Sequence, residues 1–163
     1  MKNTGTLKVT PSGERDVLFE RIFDAPREAV FDGLTQAGQV KAWMGPHGYN
    51  LAVCDIDLRV GGAYRYVMRG PDGGEMGWGG VFREIEAPKR LVHTETFDDW
   101  PMMESLVTSE LTEKGGRTTF FATIRYATPE ARDAVLASGM EHGAAESYDR
   151  LAALLASRHA DAK

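Results

Sequence analysis

Five clusters of turn-forming residues cut the middle of the chain into short segments: Val60-Gly61-Gly62, Gly70-Pro71-Asp72-Gly73-Gly74, Ala87-Pro88-Lys89, Asp98-Asp99-Trp100-Pro101 and Lys114-Gly115-Gly116. Each supplies residues that accept positive φ or fix φ, so the chain must turn there. The segments between them, about 49–58, 62–70, 75–86, 90–98, 104–113 and 117–126, are rich in β-branched and aromatic residues and read as strands. Connections this short cannot carry the long crossovers that parallel strands need, so the segments form an antiparallel meander. The run DVLFERIF at 16–23, closed by Ala25-Pro26, adds a strand before them and brings the expected number to about seven.

The remaining segments read as helices. Asp24 is placed to cap a short helix with Pro26 in its first turn, and Ala29, Val30, Phe31 and Leu34 supply its apolar face. A second short helix, Gln36 to Trp43, stops at Met44-Gly45-Pro46. From Thr128-Pro129 the pattern is helical to residue 157, a rod of roughly 43 Å at 1.5 Å per residue. Leu136, Met140, Gly143, Ser147, Leu151 and Leu154 share one stripe of it. Gly139 and Gly143 sit inside this stretch, each costing about 0.8–1.0 kcal/mol against alanine. Either the helix approaches the sheet closely there or space is kept for a ligand. The fold class is α+β, a curved antiparallel sheet of about seven strands with a long C-terminal helix across it and two short helices between strands 1 and 2.

At 163 residues the chain suits one domain. We read residues 1–14 as a loose N-terminal arm or weak first strand extension, 15–158 as the domain, and 159–163 as a tail. The formal net charge of -5, with basic residues scattered among acids, disfavours a nucleic-acid surface. Cys54 is the only cysteine, so no intramolecular disulfide forms and a reducing, cytoplasmic location is expected. No segment approaches the roughly 20 apolar residues of a membrane span, and the N-terminus lacks a signal-peptide core. His47, His93, His142 and His159 show no metal-ligand spacing, and neither a dinucleotide fingerprint nor a nucleophile elbow is present, so no metal or cofactor is expected.

Four ordered blocks carry a family resemblance: FDAPREAVFDGLTQAGQVKAWMGP (23–46), DLRVGGAYRYVM (57–68), GVFREIEAPKRLVHTETF (80–97) and EARDAVLASGMEHGAAESYDRLAALL (130–155). Together they resemble the START-like (SRPBCC), helix-grip superfamily, within it the branch homologous to the activator of the ninety-kilodalton heat-shock chaperone's ATPase. The resemblance implies a cavity between the concave sheet face and the last helix, used in relatives for lipids, polyketides, hormones and other apolar ligands. It does not imply one activity. Many relatives place Trp directly after the glycine of the last helix; here Gly143-Ala144 leaves more open volume or a different wall.

Strand alternation points to the side chains that face the helix. Tyr64, Tyr66 and Met68 share one face of their strand. Met76, Trp78 and Phe82 share a face of the next, although Gly77, Gly79 and Gly80 invite a bulge there. On the following strand Leu91, His93, Glu95 and Phe97 point together, which sets an ionisable pair on the expected cavity wall. A buried carboxylate must be paired, protonated or near water. His93 and Glu95 are therefore candidates for a polar ligand anchor, for a general acid/base pair in a cyclase- or hydrolase-like enzyme, or for a wall-stabilising pair. The expected ligand-binding set is Trp43, Tyr66, Met68, Trp78, Phe82, His93, Glu95, Phe97, Met103, Met140, Gly143 and Ser147.

Trp43 beside the Gly45-Pro46-His47-Gly48 loop, and the Trp100-Pro101-Met102-Met103 loop, are candidates either for gating a cavity mouth or a homodimer contact, or for loop anchors packed into the core. The leading functional expectation is binding or carriage of an apolar small molecule. An enzyme using His93 and Glu95, and a chaperone-linked or other protein-interaction module, are the alternatives.

Overall fold

The computed structural model describes residues 7–161. In chain order the elements are β1 (Lys8–Ser12), β2 (Asp16–Phe23), α1 (Arg27–Thr35), α2 (Ala37–Trp43), β3 (Asn50–Ile56), β4 (Ala63–Arg69), β5 (Glu75–Glu86), β6 (Arg90–Phe97), β7 (Ser105–Lys114), β8 (Arg117–Arg125), α3 (Pro129–Ala137) and α4 (Met140–Asp161). The strands form one antiparallel sheet in the order β1-β2-β8-β7-β6-β5-β4-β3. The meander from β3 to β8 pairs each strand with the next, and the β1–β2 hairpin joins it at β8. This is the expected α+β arrangement, with a long C-terminal helix and two short helices between the strands that flank them.

Four expectations need correction. The sheet has eight strands rather than about seven: Lys8–Ser12, read as part of a loose arm or weak strand extension, is a full strand, its five residues in register with Asp16–Glu20 of β2. Residues 1–6 of that arm lie outside the described residues. Asp24 does not cap α1; Pro26 holds the cap position in an extended conformation without a side-chain hydrogen bond. The stretch from 129 is two helices, because Gly139 takes φ +79, a left-handed conformation that ends α3 and starts α4 afresh. α3 opens as its sequence suggests, with Pro129 in the first turn and the Thr128 hydroxyl accepting from the Ala131 N–H at 3.0 Å. α4 then runs on to Asp161, past the helix end expected at 157. Residues 162–163 and the His159 side chain lie outside the described residues.

The fourth correction concerns β5. Its register against β4 is unbroken through Gly77, Gly79 and Gly80, and the bulge falls instead between Phe82 and Glu84 on the β6 side. The glycines are there for close approach. A Cβ on Gly80 would lie 1.9 Å from the Thr94 carbonyl oxygen, and one on Gly79 would lie 2.5 Å from that of Tyr64.

One hydrophobic core lies between the sheet and the helices. Phe19, Phe23, Phe120, Ala122 and Ile124 from β2 and β8 meet Val30 and Phe31 of α1, Val40 and Trp43 of α2, and Leu151, Ala152 and Leu155 of α4. The Arg21 side chain is fully buried on the same face of β2 and pairs with Asp149 of α4. A desolvated guanidinium demands such a partner, so the pair fixes where α4 crosses β2.

Candidate site on the concave face beside α4

The register of β4, β5 and β6 decides which side chains stand together. Tyr66 pairs with Trp78, Trp78 with Phe97, and Phe82 with His93. The rings touch in sequence along this face: Tyr64 to Tyr66 at 5.1 Å, Tyr66 to Trp78 at 5.6 Å, and Trp78 to Phe97 at 5.6 Å between centroids. At the other end Tyr64 meets Phe82 at 5.5 Å and the His93 ring edge-on at 5.2 Å. Spacings and tilts like these suit the ring quadrupoles.

Glu95 lies on β6 between His93 and Phe97 and faces the same way by strand alternation. Its lateral neighbours are small. The pairs Trp78–Phe97 and Phe82–His93 on either side bring it level with Gly80, and on β7 it pairs with Ser105. Ser105 spends its hydroxyl proton on the Glu95 backbone carbonyl, at 3.3 Å. Among the described residues the Glu95 carboxyl itself makes no hydrogen bond and no ion pair. Burial pushes its pKa from 4.5 up to about 7. The tyrosines around it, Tyr64 and Tyr66 of β4, Tyr126 beyond β8 and Tyr148 of α4, are all shifted upward by burial first, with the Glu95 charge adding to each.

His93 does not pair with Glu95. Its Nδ1 lies 3.1 Å from the Tyr64 hydroxyl and 3.2 Å from the Thr94 carbonyl oxygen. Tyr64 donates its one proton to that carbonyl at 2.6 Å, so both neighbours of Nδ1 present lone pairs. Nδ1 therefore carries the hydrogen. Burial lowers the His93 pKa, keeping the ring neutral, and Nε2 is left as an acceptor. Gly80 makes this arrangement possible, since only a residue without Cβ leaves room for the inward-turned Thr94 carbonyl.

From the helix side, Tyr148 packs its ring against Phe120 at 5.2 Å and Trp43 at 5.4 Å, while Met140, Ala144 and Ala145 lie partly buried against the core. Gly143 is partly buried, and a Cβ there would meet nothing within 4 Å. Close helix-to-sheet approach is therefore not why this glycine is present.

The expected residues divide into groups. Tyr66, Trp78, Phe82, His93, Glu95 and Phe97 stand together on one wall. Trp43 is 2% exposed, and its Nε1 donates to the Gly33 carbonyl at 2.7 Å, so it is a packed anchor. Ser147 is engaged by the loop after α2: its hydroxyl accepts from the Gly45 N–H at 3.0 Å and donates to the Gly143 carbonyl at 3.0 Å. Arg150 reinforces that tie by donating to the Gly45 and Ala42 carbonyls, and the His47 N–H donates to Glu146. Met68 turns its sulfur toward Gly45 and, with Tyr49 and Met76, lines an open groove of about 320 Å³ at the β4–β5 hairpin, away from the other wall residues. Met103 belongs to the exposed loop that also carries Trp100 and Met102, the latter 88% exposed.

Tyr64 was assigned to the inner face but not to the site, and Tyr126 and Tyr148 were missed. The spacing Met140, Ala144, Tyr148, Leu151, Leu155 is a helical stripe that would have found Tyr148. No combination of His, Cys, Asp and Glu among the described residues is arranged to hold a metal ion.

A family model described as Activator of Hsp90 ATPase homolog 1-like protein matches residues 24–156. Among solved structures, a protein from Rhodobacter sphaeroides is 35% identical, with a TM-score of 0.88 over 94% of this chain and 99% of that one. A Mycobacterium smegmatis protein is 26% identical with a TM-score of 0.84, covering 95% of this chain and 100% of that one. An AHSA1 protein from Silicibacter pomeroyi is 26% identical with a TM-score of 0.73 over 88% of this chain and 99% of that one. No curated protein sequence matches significantly.

Proposed function

The chain belongs to the family of Activator of Hsp90 ATPase homolog 1-like proteins, and from that premise we propose that it binds or carries an apolar small molecule between the concave sheet face and α4. The observation that carries this reading is Glu95, a partly covered carboxyl beside aromatic rings that makes no hydrogen bond or ion pair among the described residues. A desolvated carboxyl without a protein partner is poised to take a hydrogen bond from a bound molecule. Two further features support it. Glu95 and His93 are only partly covered, which leaves both open to a bound molecule. On the helix side, a Cβ on Gly143 would meet nothing within 4 Å, so space is left there that a larger side chain would fill. A ligand burying about 300 Å² of apolar surface gains roughly 7.5 kcal/mol before association costs, so polar anchoring matters to affinity.

Binding is favoured over acid/base catalysis because the His93 Nδ1 is committed to Tyr64 and Thr94 rather than to Glu95. The exposed Trp100, Met102 and Met103 favour a second reading, an interaction surface for another protein or a second copy, in line with the chaperone named in the family's description. No helix among the described residues is long and apolar enough to cross a membrane. Native mass spectrometry of freshly purified protein tests the binding reading. It should reveal a co-purifying small molecule that organic extraction releases; consistently bare protein that also takes up no added hydrophobic compound would contradict it.

A further inference from the structure

Within the proposed binding site, on whose existence this inference rests, we infer that the ligand is an apolar amine, bound as its ammonium ion with N–H groups directed to Glu95 and His93. Two acceptors stand on the same face of β6. One is the Glu95 carboxyl, without a partner among the described residues; the other is Nε2 of His93, fixed as a lone pair because Tyr64 and Thr94 require the hydrogen on Nδ1. Strand alternation sets their Cα atoms about 7 Å apart along β6 with both side chains projecting from the same face. Above pH 7 a ligand that only accepts hydrogen bonds leaves the ionised carboxylate and the imidazole lone pair unsatisfied; one that donates satisfies them.

The surroundings select charge as well. Tyr66, Trp78 and Phe97 form a continuous aromatic wall beside Glu95, with Tyr148 supplied from α4, and aromatic faces attract cations. Arg21 on β2 is committed to Asp149, so it does not stand ready to neutralise an incoming acid. A fatty acid or other anion would place like charge beside an ionised Glu95 in a poorly solvated space. An ammonium head with an apolar body matches the carboxylate, the imidazole lone pair and the rings together.

The pH dependence follows from every titratable group that faces Glu95. Tyr64, Tyr66, Tyr126 and Tyr148 are all shifted upward and stay neutral, and His93 is shifted downward and is neutral above its ordinary range. Glu95 is then the group that ionises near neutrality, so amine affinity should rise from pH 6 to pH 8.

Isothermal titration of the full-length protein with 1-naphthylmethylamine, 1-naphthylmethanol and 1-naphthoic acid separates body from head group. The amine should bind at least tenfold more tightly than the alcohol at pH 8, about 1.4 kcal/mol, with the acid weakest. Glu95→Gln should erase that preference, the amine losing at least tenfold more affinity than the alcohol, and Glu95→Asp should retain part of it. An amine no tighter than the alcohol, a preference that survives Glu95→Gln, or amine affinity flat across pH 6–8 would overturn the inference while the apolar site stands. No binding by any of the three would remove the site itself. The pH series on the unmodified protein decides the matter even if the Gln variant fails to fold.

Discussion

Glu95 shows how one residue can work against stability for the sake of a site. Its carboxyl is held near pKa 7 in the folded protein, against 4.5 for the ordinary side chain, because burial disfavours the ionised form. Between those two values the folded state binds more protons than the unfolded state, so stability falls as pH rises from about 4.5 to 7 and stays reduced above that. The shift corresponds to about 3 kcal/mol at pH 8. Glu95→Gln cannot ionise, so denaturant unfolding of the ligand-free variant should show it more stable than the parent at pH 8, with the difference vanishing near pH 4.5. A pH-independent difference would mean that burial does not raise the Glu95 pKa. The alternation of β6 made His93 and Glu95 legible as neighbours on the inner face. What they bond to was not legible, because the Tyr64 hydroxyl and the inward Thr94 carbonyl reach His93 through tertiary contacts that no spacing along one strand encodes.

At the scale of elements, the turn clusters located the strands closely: each segment from 16–23 to 117–126 holds a strand whose bounds differ by at most two residues from those expected. Turn chemistry is local and survives in the sequence. Strand β1 was harder to read, since KVTPS carries a proline and a serine, and its place depends on pairing with β2 rather than on its own pattern. The two glycines near the start of α4 were treated alike in sequence, yet the fold uses them oppositely. Gly139 needs its left-handed φ of +79 to separate α3 from α4, whereas Gly143 lies within α4 with open space where a Cβ would go. Thermal unfolding should separate them. Gly143→Ala should stabilise the protein by about 0.5–1 kcal/mol through helix propensity. Gly139→Ala should destabilise it by about 1–2 kcal/mol through the left-handed conformation. Equal effects of the two substitutions would show that the helix break is not where we place it.

At the scale of the whole molecule, eight strands and α4 share one core in two parts. The β2–β8 half is closed by large side chains and by the ion pair of buried Arg21 with the half-exposed Asp149, which anchors α4 to the sheet. The β4–β6 half carries the aromatic wall, the small residues and the unpartnered carboxyl. The fold and its family could be read from four sequence blocks because they preserve hydrophobic pattern and turn chemistry. Which half was packed could not, because that depends on how side chains from distant strands and the helix fill space together. The central claim is that a small molecule enters the second half. Two-dimensional NMR of protein isotopically labelled at backbone and aromatic positions, titrated with 1-naphthylmethanol, tests it most directly. Shifts concentrated at Trp78, Glu95, Phe97, Gly143 and Tyr148 are expected; shifts confined to the Tyr49–Met76 groove or to the Trp100–Met103 loop would contradict it.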